Sequence, residues 1–372
     1  MSAIPSPATG RDAPSETALL RIDLAALAHN WRRLRELSAP AECAAVVKAD
    51  AYGLGLAPVM RALLAEGCKT FFVATVAEGE RARAIAREAA IYVFDGLAPG
   101  TAPRLKAAAL RPALNSMAEI AEWAGSGLPA ALHFDTGMNR MGLAVAEAEA
   151  AARAIKPCLV MSHFVSSQKR DDPRNDNQIA GLAAARAHFP GVPGSICNSS
   201  GIFLPQKPLL ELTRPGFALY GGNPAPGLAN PMRAVARLQA RILSTREIAP
   251  GESVGYDATW TATRPTRLAT IGAGYADGLP IGASSGVAKP AAQALVGGAR
   301  CPIVGRVSMD FIVLDVTDAP QAAAKRGEWA EILGEQISVD ELAARAGTIG
   351  YEILTRLGAR YERRYVGSLT DI

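Results

Sequence analysis

The sequence predicts an α/β chain in two parts: an N-terminal (β/α)8 barrel of the TIM type and a C-terminal, mainly β domain. Three observations carry this expectation. Through the first two-thirds of the chain, short apolar runs alternate with longer Ala-, Leu- and Arg-rich segments, the pattern of strand–helix repeats around a parallel sheet. Beyond about Ala234, helical periodicity nearly vanishes and strand-like stretches separated by Gly and Pro take over. At 372 residues, nearly half of them hydrophobic, the chain is long enough to bury two cores.

The elements follow in order. Residues 1–17 are rich in Pro, Ser and Ala and lack both a cationic start and an apolar stretch, so they read as a flexible tail rather than a signal peptide. Residues 18–23 look like a strand that joins the β domain. Asp23 is then placed to cap a helix with Leu24, Leu27, Trp31 and Leu34 on one face. The barrel is expected over 21–236. Its strands centre on Val46-Val47, Phe71 to Val73, Ile91 to Phe94, Pro112 to Leu114, Ala131 to Phe134, Leu159 to Met161, Ser195 to Cys197 and Phe217 to Leu219. Helices are expected between them, for example over 59–66, 78–89 and 178–188. The β domain is expected over 237–372, with strands at 267–271, 293–296 and 311–316 and a late helix at 339–346. No low-complexity linker separates the two parts.

Composition excludes several functions. The net charge of +4 is small, and the arginines are scattered without a basic stripe or interleaved aromatics, which argues against nucleic acid. No apolar run is long enough to span a membrane. Five cysteines, odd in number and far apart, contain no CxxC pair, so neither a metal site nor a disulfide framework is expected, and free thiols in a reducing cytoplasm are the favoured reading.

Chemistry concentrates at predicted strand ends, where barrel enzymes carry it. Lys48 ends the first strand in VVKADAYGLG (46–55). An amine there is costly unless it has a task, and desolvation lowers its pKa and makes it a nucleophile toward aldehydes. Asp135, Asn139 and Arg140 follow the fifth strand, and His163 ends the sixth. Asn198, Ser199 and Gly201 follow the seventh, while Arg214 and Gly216 lie beside the eighth. Each alone has a bland reading, such as an ion pair, a turn or a helix cap. Their convergence on one rim raises the functional reading.

The ordered motifs VVKADAYGLG, LHFDTGMNRMG (132–142), MSHF (161–164), NSSG (198–201), RPGFALYG (214–221), VGYDATW (254–260), IGAGYADGLP (271–280) and VGRVSMD (304–310) resemble the signatures of bacterial alanine racemases. The resemblance runs from about Ala18 to about Tyr365. It implies a pyridoxal 5'-phosphate enzyme that interconverts L- and D-alanine, acts as a homodimer with shared active sites, and supplies a peptidoglycan precursor. On that resemblance Lys48 carries the cofactor in a Schiff base and serves as one catalytic base, and Tyr256 is the other. Arg214 faces the pyridine nitrogen and connects through His163 toward Tyr256. Because arginine cannot release its proton, it keeps that nitrogen unprotonated, which favours racemisation over transamination. Ser199, Tyr52, Tyr351 and the N–H groups of Gly216 and Phe217 hold the phosphate. Arg140 and the Met309 N–H meet the substrate carboxylate, and Tyr275 and Asp310 shape the access route and the dimer contact.

Two positions depart from the family pattern. His133 stands where many members have a lysine, often carbamylated, that holds the arginine; a carbamate is excluded here, and the partner of Arg140 is left open. Ser308 replaces a cysteine of similar size. Three other functions compete: a racemase of serine or of several small amino acids, a decarboxylase of basic amino acids, and a non-catalytic cofactor-binding barrel. Arg214 argues against the decarboxylase, and the chain beyond residue 236 argues against the lone barrel.

Overall fold

The structure is a computed structural model that describes residues 17–285 and 291–367. The tail expected over 1–17 lies, Thr17 apart, outside the described residues. Thr17 itself is tied down: its carbonyl accepts from the Arg241 N–H at 2.7 Å. The described residues divide into two compact units, one formed by Leu24–Arg233 and one in which residues 17–23 join those of Ala234–Val366.

The first unit is a curled parallel sheet. Its strands run Ala45–Val46, Thr70–Val73, Ala90–Val93, Arg111–Leu114, Ala131–Asp135, Leu159–Met161 and Gly194–Ser195, each parallel to the next. Most of their residues are buried, as expected of a parallel sheet covered by helices. The eighth strand is Leu212–Thr213, which pairs with Glu42–Cys43 just ahead of the first strand. On its other side, Glu211 N–H donates to the Gly194 carbonyl and Arg214 N–H to that of Cys197, closing the ring.

The expected eighth strand at Phe217 to Leu219 is thus displaced by five residues. That run forms a 3-10 turn, Phe217–Tyr220, whose four side chains are all buried. A short apolar run reports burial and leaves the backbone conformation open. Helices appear near the expected places, at Leu56–Ala65, Val76–Ile85 and Arg174–Arg186. Helix Leu24–Ser38 buries Leu24, Leu27, Trp31 and Leu34 as the 3.6-residue period predicts.

The second unit is built on one long strand, Ala236–Ile248. Its first half pairs antiparallel with Ala18–Asp23 and with Trp329–Leu333, and its second half with Thr266–Ile271. The register is irregular at Leu238/Gln239 and at Ile242/Ser244, the second near the point where its partners change. Ala236, Leu238, Ala240 and Ile242 alternate inward. Interleaved arginines at 237, 241 and 246 hide this strand from a hydrophobicity reading. Strands Gln293–Val296 and Ile312–Asp315 lie where expected, as does the helix Val339–Ala346, capped by Ser338. Among the described residues no helix is long and apolar enough to cross a membrane.

Candidate active site

Polar side chains of the first unit gather at the C-terminal ends of its strands. Lys48 opens the turn Lys48–Tyr52 right after the first strand. Ala49, Asp50, Ala51 and Tyr52 all have φ between +53° and +55°, four consecutive left-handed residues without a glycine. Such a turn is strained and persists only where its surroundings hold it. Gly53 N–H donates to the Ala49 carbonyl at 2.7 Å. The Glu78 carboxylate accepts from Ala49 N–H at 2.7 Å and from Ala74 N–H at 2.8 Å. The half-buried Lys48 amine stands 5.6 Å from the Phe94 ring centroid. Burial first, and the Arg140 charge second, push its pKa down against the opposing pull of Glu78 and Asp95. A lysine so placed gives up its proton more readily and becomes nucleophilic.

Arg214 follows the eighth strand and is only 2 % exposed. It donates to Ser195 Oγ and, at 2.6 Å, to the Ser162 carbonyl, and it lies 5.7 Å from the Phe72 ring centroid. Neither hydrogen-bond partner is a carboxylate. Burial lowers its pKa to about 10, still high enough to keep it charged at neutral pH. His163 and His133 sit near this cation. Burial, Arg214 and Arg140 depress His163 to about 3 and His133 to about 4, so both rings are neutral. Cations and neutral rings dominate this rim, a setting suited to an anionic ligand.

Ser199 Oγ accepts from the Gly216 N–H at 3.0 Å and the Ala218 N–H at 3.1 Å. A Cβ at Gly216 would collide with the Tyr52 hydroxyl, so only glycine lets Tyr52 reach this point. Phe217 is buried between the two N–H groups. The Gly216 N–H, expected to face a phosphate, is thus bonded to the Ser199 hydroxyl. Asn198 has the modest role that its turn motif suggests: its Oδ1 caps Gly201 N–H at 2.9 Å.

The exposed Arg140 is carried by a loop that Asp135 organises, with Oδ1 accepting from Gly137 and Met138 N–H and Oδ2 from Arg140 N–H. Burial opposes the Asp135 charge, but these N–H donors hold its carboxyl below the usual range.

The second unit presents a separate set. Tyr256 is 70 % exposed on a tight turn, unusual for a large aromatic side chain, and the neighbouring Asp257 pairs with Arg306. Tyr275 N–H bonds the Ser308 carbonyl and Ala276 N–H that of Met309, so Tyr275, Met309 and Asp310 share one exposed stretch. Arg360 pairs with Asp310 at 2.8 Å. Tyr351 lies half-buried on the helix Gly350–Thr355.

Sequence reasoning missed Glu78 and Asn115. Glu78 had a readable signal: Thr75-x-x-Glu78 is a capping box, and its carboxylate also reaches the lysine turn. Asn115 had none, because its partner His133 lies on the next strand. Among the described residues no group of three or more His, Cys, Asp or Glu could hold a metal ion.

Comparisons with known proteins agree along most of the length. The family profile for the alanine racemase N-terminal domain matches residues 22–224, and that for the alanine racemase C-terminal domain matches residues 235–365. Alanine racemase of Methylobacterium nodulans is 54 % identical over 363 residues, covering 95 % of this chain and 97 % of its own. That of Rhodospirillum rubrum is 47 % identical, covering 94 % and 96 %. The crystal structure of alanine racemase from Bartonella henselae with covalently bound pyridoxal phosphate superposes with a TM-score of 0.88 at 35 % identity, covering 95 % of this chain and 100 % of that one. With both halves matched in order and identity this high, the chain belongs to the alanine racemase family.

Proposed function

We propose that this protein interconverts L- and D-alanine with pyridoxal 5'-phosphate held on Lys48, using Lys48 and Tyr256 as its two proton-transferring groups. The observation that carries the reading is that the strand ends of one unit carry both a lysine whose pKa burial lowers and a buried arginine whose hydrogen bonds go to the Ser195 hydroxyl and the Ser162 carbonyl.

The residues fit the cofactor. Ser199 and the Tyr52 hydroxyl lie where a phosphate needs donors: Ser199 Oγ accepts from the Gly216 and Ala218 N–H groups, which leaves its own hydrogen to donate. Phe217 and Tyr351 complete the set. When bound, the cofactor supplies the electron withdrawal that makes an amino-acid α-proton removable. Lys48, whose pKa burial lowers, carries the amine that would take or return that proton on one face. Arg214, still charged at neutral pH, would donate to the ring nitrogen of the cofactor and keep it an acceptor, so the withdrawal would stay moderate. Neutral His163 connects this region toward the second base. Racemisation needs a proton group on each face, and Tyr256 serves the other. Its exposure on the second unit supports a role against another subunit, so we assign a homodimer with shared sites. Arg140 and the Met309 N–H bind the substrate carboxylate, while Tyr275 and Asp310 shape the access route. The unpaired cysteines are in keeping with a cytoplasmic setting.

The test is to incubate the holoenzyme separately with L-alanine and L-serine in deuterated water. Deuterium at the α-carbon with D-alanine accumulating is expected. A cofactor-loaded protein that exchanges no α-proton of alanine would refute the reading.

A further inference from the structure

The sixth strand, Leu159–Met161, pairs with the seventh as far as Ser162, whose N–H donates to the Ser195 carbonyl at 3.0 Å. The chain then leaves the sheet through His163, Phe164 and Val165, and a side chain takes the place of a neighbouring strand. Gln178 lies in the first half of helix Arg174–Arg186 and is 2 % exposed. Its Oε1 accepts from the Val165 N–H at 2.9 Å, and its Nε2 donates to the His163 carbonyl at 2.9 Å. The amide orientation follows from chemistry: an N–H only donates and a carbonyl only accepts, so the nitrogen and oxygen of Gln178 cannot be exchanged. Nε2 also donates to Thr136 Oγ1 at 3.3 Å, and Thr136 Oγ1 lies 2.7 Å from Ser162 Oγ. Gly181, one turn on, admits this approach, since a Cβ there would stand 3.3 Å from the Thr136 methyl. Ser162 in turn gives its carbonyl to Arg214 at 2.6 Å. A buried amide is costly unless its groups are paired, and both ends of Gln178 are.

We propose that Gln178 is a positioning residue of the reaction: its amide fixes the backbone on both sides of Phe164 and so sets the His163 ring, and through Thr136 it steadies Ser162, whose carbonyl holds Arg214. The inference rests on the racemase reading, in which His163 and Arg214 serve the cofactor. The task needs a donor and an acceptor on one short planar group, which glutamine offers and neither ionised glutamate nor an apolar residue of the same size does. With the carbonyl of His163 and the N–H of Val165 both held, the His163 ring is left only its own side-chain torsions. Helix Arg174–Arg186 thus acts as a strut behind the strand end that carries two groups of the site.

Gln178→Met keeps the volume and removes all three hydrogen bonds. Its kcat for L-alanine should fall about tenfold, the effect of losing one net hydrogen bond, with a smaller change in KM. Four histidines in the chain make the ring of His163 readable. In nitrogen-15-histidine-labelled holoenzyme, the ring signals lost in His163→Gln belong to His163. In Gln178→Met these should shift or broaden, while those of His29 and His188 stay in place. Hydrogen exchange of the Val165 amide should accelerate about tenfold as well. Gln178→Glu is the second variant: its carboxylate still accepts from the Val165 N–H but offers the His163 carbonyl no donor, so the Val165 amide should stay protected while kcat falls. A folded Gln178→Met protein with unmoved His163 signals, or with unchanged kcat, overturns the proposal. Should Gln178→Met fail to fold, unchanged kcat in Gln178→Glu overturns it. Absence of alanine turnover by the natural protein would instead sink the racemase reading, while the ring signals and the Val165 exchange would still decide whether Gln178 sets His163.

Discussion

Glu78 ties the lysine turn to the barrel, and removing it measures how much that turn depends on being held. The turn places four non-glycine residues in the left-handed region. Each costs roughly 1–2 kcal/mol relative to a right-handed conformation. Against this cost, Glu78 accepts from Ala49 N–H and Ala74 N–H, bridging the turn to the segment after the second strand. A hydrogen bond to a charged group contributes roughly 1.5–3 kcal/mol, less where water can replace it. Ala49 is exposed, so a value of about 2 kcal/mol is appropriate for Glu78→Ala, which corresponds to about thirty-fold more frequent opening of the turn. Hydrogen exchange of the amides at 49–53 should therefore accelerate by about that factor, while strand Ala131–Asp135 stays protected. Cofactor affinity should fall in parallel, since Lys48 leaves its position whenever the turn opens. Exchange at 49–53 that is unchanged in a folded Glu78→Ala protein would show that the turn holds its shape without the clamp.

Two further outcomes follow from the site. Lys48→Ala and Tyr256→Phe should each be inactive, and mixing them under conditions of subunit exchange should restore part of the activity; no recovery despite demonstrated exchange contradicts sites shared between subunits. His163 and His133 have folded pKa values depressed to about 3 and about 4, below the unfolded value of about 6.5. A depressed value means their contribution is fully present above that unfolded value and is lost as pH falls through the folded ones. Thermal stability between pH 6.5 and 4 should thus decline more steeply in the natural protein than in the His133→Gln/His163→Gln variant, and equal slopes would count against burial of the neutral rings.

Much of the fold was legible because its signals are local. Continuous apolar runs mark the parallel strands, and the 3.6-residue spacing of Leu24, Leu27, Trp31 and Leu34 marks a helix face. The errors arose where a local signal is ambiguous. Phe217 to Leu219 is as apolar as a strand yet forms a 3-10 turn, and Ala236–Ile248 is a strand disguised by its solvent-facing arginines. The site divides the same way. Lys48, Arg140, His163, Ser199 and Arg214 stand out as polar groups at the ends of apolar runs.

From the sequence alone come the two-part architecture, the amine at a strand end, the arginine that cannot give up a proton, and the family to which these residues belong. All of these depend on residue type and on spacing along the chain. Only the tertiary structure decides that the lysine turn is left-handed and clamped by Glu78, that Ser199 gathers two backbone N–H groups, and that Asn115 hydrogen-bonds His133 on the next strand. The physical reason is common to all three. Each depends on the direction of a hydrogen bond between segments far apart in the chain, and direction is settled only when strands and loops pack side by side.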